Sequence, residues 1–404
     1  MTVLSSNIFD VAIAGAGPAG TGAAIDLATK GARVLLIEEK KFPRAKLCGE
    51  FISPECLTHF KRLGAMEQIS AAGGVSLSET IFYSRRGNRV AVPSEWFKSG
   101  TNALGLSRGE MDHRLLERAK GVGVVVLEEA HASRLVRERK EVRGVCVKIG
   151  DVTQDYQALV TIDATGRTRA LARHLDQPRA NRRKNTNPLV AFKAHLENAR
   201  VAEGACEIYF YGHGYGGLSG VEGGVSNLCF IVAATDVRRY GSDPERVLRE
   251  IVMKNSRAAY TLAEASTRTP WLSVSLESFG RRTLAPANGL LTVGDAAAFI
   301  DPFTGSGMLM ALESGQLAAE IITRHLRLLR QGAGFESLRN DYRAEYLQRF
   351  HSRLRISGLL RRAAFVPNLA EAAILLCGTS SRLRHKLAWA TRHSTGSEIR
   401  ASSS

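Results

Sequence analysis

Apolar and polar positions recur along the chain with two periods, and the switches between them mark its elements. Residues 8–14 form a short apolar run that stops at Gly15 and reads as a buried strand. A helical stretch from 19 to 30 follows at once, Gly31 ends it, and 33–37 forms a second apolar strand ending at Glu38. Further strands are expected at 124–127, 142–149, 159–162 and 289–293. A long helix then opens after Gly305 and Gly307, with Ala311, Leu312, Leu317, Ala318 and Ile321 on its apolar positions. A second group of runs, at 81–83, 89–92, 190–195, 207–211 and 227–232, reads as an antiparallel sheet. Helices are expected over 110–120 and, from a capping box at Ser242 and Glu245 with Pro244 at an early position, over 243–254.

The order of these elements interleaves two units. The pattern predicts an α/β, Rossmann-like domain assembled from 1–75, 105–180 and 275–325, and an antiparallel-sheet substrate domain from 76–104 and 181–274. Residues 326–404 form a basic helical C-terminal region. No internal repeat appears, and low complexity is confined to the short Ser-rich end. A chain of 404 residues, 44% hydrophobic and 23% charged, can bury a large core, which excludes a disordered protein.

Composition narrows the chemistry further. Cys48, Cys56, Cys146, Cys206, Cys229 and Cys377 are widely spaced and form no C-x-x-C pair. That argues against a zinc site, a redox disulfide motif and a secreted disulfide framework, so no metal and a reducing cytoplasm are expected. No apolar run reaches the ~18–20 residues of a membrane span. The net charge is +16, and the stretch from Arg324 onward carries 15 Lys and Arg against 5 Asp and Glu. Basic clusters there, such as Arg353, Arg355, Arg361 and Arg362, alternate with apolar stretches. Such helices can lie on an anionic membrane surface or be a solvated face packed on their own domain. Nucleic acid is not an expected partner, because no recognition motif accompanies the charge.

Two glycine-bearing segments carry the candidate site. Gly15, Gly17 and Gly20 fill a G-x-G-x-x-G pattern between a strand and a helix that begins at Ala19. The first glycine permits the tight turn, the second lets backbone approach a pyrophosphate, and the third lets helix and strand pack closely. Glu38, or Glu39 in its place, is the strand-end acid that would accept hydrogen bonds from a ribose and disfavour a 2′-phosphate. FAD or NAD fits that pocket better than NADP. Far downstream, Gly294 and Asp295 stand where another apolar strand ends, in the cleft where α/β ligands bind. The helix opening at Gly305, Gly307 and Met308 aims a second N-terminus at the same cleft. That suits the flavin edge that gains negative charge on reduction, and the pair of segments selects FAD. No His or Cys lies in a covalent-attachment motif, so the FAD is expected to be non-covalent.

The pairing resembles the glutathione-reductase-like flavoprotein superfamily. Within it, the stretch from Asp301 to Gly315 is similar to the geranylgeranyl reductase branch, close to the para-hydroxybenzoate hydroxylase type of monooxygenase. The resemblance covers about residues 8 to 325 in ordered blocks. It implies that Asp295 binds the ribityl chain and that Lys46 to Pro54 is the K-x-C-G-G-x-L-S-P loop covering the flavin. Cys48 would then be the catalytic thiol beside the ring, the alternative being a packed small thiol. Arg108, in an R-x-x-L/M-D segment, would contact FAD.

Two departures leave the chemistry open. Thr165 stands where many superfamily monooxygenases carry the acid of a D-G motif, with Gly166 and Arg167 as remaining contacts to the adenylate half. The family's Y-x-W-x-F-P strand over the substrate cavity corresponds to the glycine-rich stretch from Tyr211 to Gly224, which lacks the tryptophan and the F-P pair. The resemblance therefore implies an FAD-dependent oxidoreductase acting on a lipophilic small molecule. Its reaction would be hydride transfer from reduced FAD to a double bond, with NAD(P)H as the reducing partner. The alternative is a monooxygenase hydroxylating an aromatic or polyketide-like substrate with O2, and a non-catalytic flavin-binding protein is the reading from another class.

Overall fold

A computed structural model of the chain describes residues 8–97, 100–176, 188–212, 214–276, 279–364, 367–379 and 384–385. Its first sheet, of seven strands, places Val125–Leu127, Val34–Ile37, Ile8–Ala14 and the end of Val152–Asp163 side by side and parallel. Leu290–Thr292 continues the parallel order along residues 161–163. The first half of Val152–Asp163 instead pairs antiparallel with Glu141–Ile149, which pairs with Ala130–Glu138. Thr153, Gln154 and Asp155 in that half are exposed, whereas Val160 to Asp163 are buried. Only the buried end has the apolar run by which a strand is read from sequence.

Helix Pro18–Thr29 lies between this sheet and helix Gly307–Arg330, and every residue from Pro18 to Leu27 is buried. The two helices approach at backbone distance: a Cβ on Gly315 would stand 2.3 Å from the Ala19 carbonyl oxygen. Tyr342, Tyr346 and Phe350, four residues apart on helix Phe335–Ala364, form a buried seam with ring centroids 5.8 and 4.6 Å apart. The Tyr342 hydroxyl donates to the Thr292 carbonyl at 2.6 Å, fixing the C-terminal region to the edge of the first sheet. Part of the basic charge of that region is consumed internally. Arg330 clamps Asp10 through two hydrogen bonds of 2.8 and 2.7 Å, and Arg353 is buried against Glu313. Residues 380–383 and 386–404, with the Ser-rich end, lie outside the described residues. No described helix is long and apolar enough to cross a membrane.

The second sheet has the order Ser266–Thr267, Leu189–Glu197, Ser226–Ala233, Gly214–Gly220, Ala205–Tyr211, Glu79–Tyr83, Arg89–Pro93, with Leu272–Leu276 also along Leu189–Glu197. All its pairs are antiparallel except Ala205–Tyr211 with Glu79–Tyr83. Strand Gly214–Gly220 carries no apolar alternation, and its glycines are required by its neighbours. A Cβ on Gly214 would come 2.0 Å from the Ile231 oxygen, and one on Gly216 2.9 Å from the Phe230 Cβ. The helix expected over 243–254 is shorter. Asp243, not Ser242, is the N-cap, helix Pro244–Glu250 stops at Ile251, and a 3-10 turn, Val252–Lys254, follows. The Glu245 carboxylate accepts from Thr267 Oγ1 and Trp271 Nε1, so it serves the sheet instead of a capping box.

Candidate functional site

A cavity of about 800 Å³ runs from the glycine turn at the ends of the parallel strands to the face of the second sheet. Gly15, Gly17, Ala19, Glu38, Cys48, Arg108, Gly294, Asp295, Gly305, Gly307 and Met308 all line it. Gly20 does not, although it completes the same glycine pattern. It lies beneath the turn, where a Cβ would meet the Gly15 oxygen at 2.0 Å, so its part is packing. Gly15 has φ +102° and a Cβ there would strike the Ala164 oxygen at 2.4 Å, whereas above Gly17 the nearest atom to a Cβ is Arg108 Nη2 at 3.8 Å. The turn is thus closed on the protein side and open on the cavity side, as a pyrophosphate requires.

At one end, Glu38 accepts from the Ala16 amide at 2.9 Å and the Lys40 amide at 3.1 Å, and pairs with Arg44 at 3.2 Å. These bonds hold the acid at the mouth of the glycine turn. At the other end, Asp295 follows Gly294, whose φ is +58° and whose amide donates to Ser314 Oγ at 2.8 Å. Burial pushes the Asp295 carboxyl above its ordinary value, against the pull of Arg167, Arg108 and Lys46. Arg167 therefore stands at the Asp295 end, 5.2 Å over the Phe299 ring, and not at the adenylate half expected from sequence. Lys46 lines the cavity too, and desolvation followed by the repulsion of Arg108 and Arg44 lowers its pKa. Thr165 offers no substitute for the missing acid: its hydroxyl donates to Asp163 at 2.6 Å and accepts from the Ala170 amide at 2.8 Å.

Arg108 explains its motif. Its guanidinium makes two bonds to Asp112, of 2.9 and 2.7 Å, and so crosses the cavity wall near Gly17 in a fixed orientation. Burial works against its charge, but Asp112 and the hydrogen-bonded Cys48 side chain raise its pKa. Cys48 is half-buried between the two sheets, with its carbonyl held by Asn227 Nδ2 at 3.2 Å. Beyond Cys48 the cavity is apolar, walled by Phe82, Val92, Ile208, Phe210, Ile231 and Phe303, with Ile374 and Cys377 of helix Pro367–Thr379 at its side. Tyr215 and Gly217 belong to the glycine-rich stretch that departs from the family strand. Both line the cavity, and the Tyr215 hydroxyl lies 2.6 Å from Asp301.

Sequence reasoning missed one cluster entirely. Glu50, two residues after Cys48, is 1% exposed and accepts from Lys193 Nζ at 2.9 Å and the Arg108 amide at 2.9 Å, with His195 Nε2 2.6 Å away. Burial opposes ionisation of this carboxyl, yet His195 and Lys193 beside it hold its pKa below the usual value. The available signal was the pair of polar residues, Lys193 and His195, two apart in an apolar strand and therefore on one face.

The donor set fits FAD: an acid at each end, an open glycine turn between them, and Lys46, Arg108 and Arg167 as cations along the cleft. Asp295 would hold the ribityl hydroxyls and Arg108 the pyrophosphate side. On that basis Asp295→Ala should lose charge-assisted hydrogen bonds of ~1.5–3 kcal/mol, about tenfold or more in FAD affinity, with the fold retained. Fluorescence titration of the apoprotein reads this directly, and an unchanged affinity places Asp295 outside the site.

Comparison with known proteins agrees with this chemistry. The FAD binding domain family matches residues 9–353. The chain is 27% identical over 317 residues to a digeranylgeranylglycerophospholipid reductase of Methanosarcina mazei, covering 77% of this chain and 74% of that protein. It is 28% identical over 364 residues to a menaquinone reductase of Mycobacterium tuberculosis, covering 82% of each. A solved structure from Thermoplasma acidophilum, described as geranylgeranyl bacteriochlorophyll reductase-like, matches with a TM-score of 0.78 at 18% identity, over 94% of this chain and 96% of that one. At that identity the likeness concerns the fold.

Proposed function

The chain belongs to the FAD binding domain family and is an FAD-dependent oxidoreductase, and from that premise we propose that it reduces a carbon–carbon double bond in a lipophilic, isoprenoid-like substrate. The observation that carries this reading is the apolar cavity that continues from the FAD cleft past Cys48 along the second sheet. The chemistry a bound, reduced FAD supplies is an electron pair delivered with hydrogen to the double bond. The remaining requirement is a proton, and Cys48 lies where the two halves of the cavity meet. Its S–H would give that proton to the substrate carbon, and the adjacent Arg108 guanidinium would stabilise the negative sulfur left behind. The apolar walls hold the substrate chain and exclude water from the reacting carbons. NAD(P)H is the reducing partner in this reading. Peripheral membrane contact through the C-terminal helices, where Leu359 is exposed near Arg355 and Leu375 on an apolar helix, would deliver the substrate.

The test is mass spectrometry of isoprenoid lipids incubated anaerobically with the reduced, FAD-loaded protein. A gain of two hydrogens per double bond is expected, with Cys48→Ala retaining FAD while turnover falls. Products that instead contain oxygen, formed only in air, would assign the protein to hydroxylation.

A further inference from the structure

The loop that carries Cys48 is fastened to the second sheet at two points, Cys48 and Glu50. Asn227 donates to the Cys48 carbonyl, and Lys193 and His195 hold the Glu50 carboxylate. These sheet residues are cross-strand neighbours, His195 opposite Asn227 and Lys193 opposite Cys229. Between the two fastenings the Glu50 amide points at Cys48 Sγ, 3.4 Å away. Glu50 adopts φ +53°, a left-handed conformation that glycine reaches freely and a residue with a Cβ does not. Glycine would take this conformation without strain, so the backbone gains nothing from a side chain here, and the reason for glutamate lies in its carboxylate. A buried ion pair contributes little net stability, but it fixes the register between the pieces it joins. Here the pieces are the Cys48 loop, the Arg108 helix start and the substrate sheet.

We propose that Glu50 is the positioning residue of the cavity, latching the Cys48 loop onto Lys193 and His195 so that the thiol is held at the junction of the FAD cleft and the apolar chamber. This inference rests on the reading that Cys48 faces the reacting centre, and the test separates the two. The readout is the rate at which iodoacetamide alkylates Cys48, followed by mass spectrometry on the FAD-loaded full chain, together with the visible flavin spectrum.

Glu50→Gly relieves the backbone and removes the latch. It should retain FAD, accelerate Cys48 alkylation by about tenfold, the effect of one lost charge-assisted bond on loop opening, and shift the flavin bands. Glu50→Gln, which keeps an acceptor without the charge, should fall between. An alkylation rate in Glu50→Gly within about twofold of the native rate, well inside the effect of one such bond, overturns the latch. If Glu50→Gly does not fold, His195→Gln decides: it leaves the loop sequence intact, and faster alkylation supports the latch whereas an unchanged rate overturns it. Stripping FAD from the native chain tests the underlying reading. If stripping leaves the alkylation rate unchanged while Glu50→Gly raises it, the latch stands and Cys48 is not at the flavin.

Discussion

Gly20→Val should bind FAD at least about a hundredfold more weakly than the native chain, a loss of ~3 kcal/mol, although residue 20 does not touch the cavity. The nearest atom to a new Cβ would be the Gly15 carbonyl oxygen at 2.0 Å, with the Ala164 Cβ at 3.0 Å. Neither is the end of a flexible side chain, so the start of helix Pro18–Thr29 must move away from the strand ends. Because the same helix is pressed onto Gly315 from its other side, it has no free direction in which to go. The turn at Gly15 and Gly17 would then present its amides in the wrong place. Equilibrium dialysis with FAD reads the outcome, and an affinity within tenfold of native would show that the turn tolerates the shift.

Arg257→Met should destabilise the second sheet by ~3 kcal/mol or more, because it strands a buried carboxylate. Glu207 is fully buried and receives two bonds from Arg257, of 3.1 and 2.6 Å, beside neutral donors from Tyr209 at 2.7 Å and the Ala202 amide at 3.1 Å. The neutral donors remain in the variant but cannot balance the charge. Arg257 is a quarter exposed, which places the expected effect at the lower end of the range for buried pairs. Urea denaturation of the FAD-loaded protein measures it, and the double variant Glu207→Gln with Arg257→Met should recover most of the loss. A cost below about 1 kcal/mol would mean that the exposed part of the pair dominates.

The cofactor cleft was legible in the sequence because its parts are local. A strand, a glycine turn, a helix and an acid within thirty-odd residues must fold together, and Gly294 and Asp295 end a strand of the same sheet. The second sheet was legible where apolar runs mark its strands, whereas Leu272–Leu276 and Gly214–Gly220 were not read from sequence. Gly214–Gly220 is a strand because strands on both sides pair with it, and its own residues carry no such signal. Long separation hid the rest. Glu50 meets its partners across 143 and 145 positions, so the polar pair Lys193 and His195 marks one face of a strand in the sequence but does not reveal its partner without the fold. Arg353 shows the opposite error: counted from sequence as part of a basic surface, it is 2% exposed and neutralised by Glu313.

Gly217 has a consequence for the girth of what the chamber admits. It lines the cavity from a central strand, and a single carbon added there would already sit 3.1 Å from Ile208 Cδ1. The space on that side of the strand is therefore already taken by Ile208, and only a hydrogen atom fits between them. Any larger residue at 217 would have to push Ile208, itself part of the wall, towards the chamber, so the width left for a guest at this point hangs on one hydrogen atom.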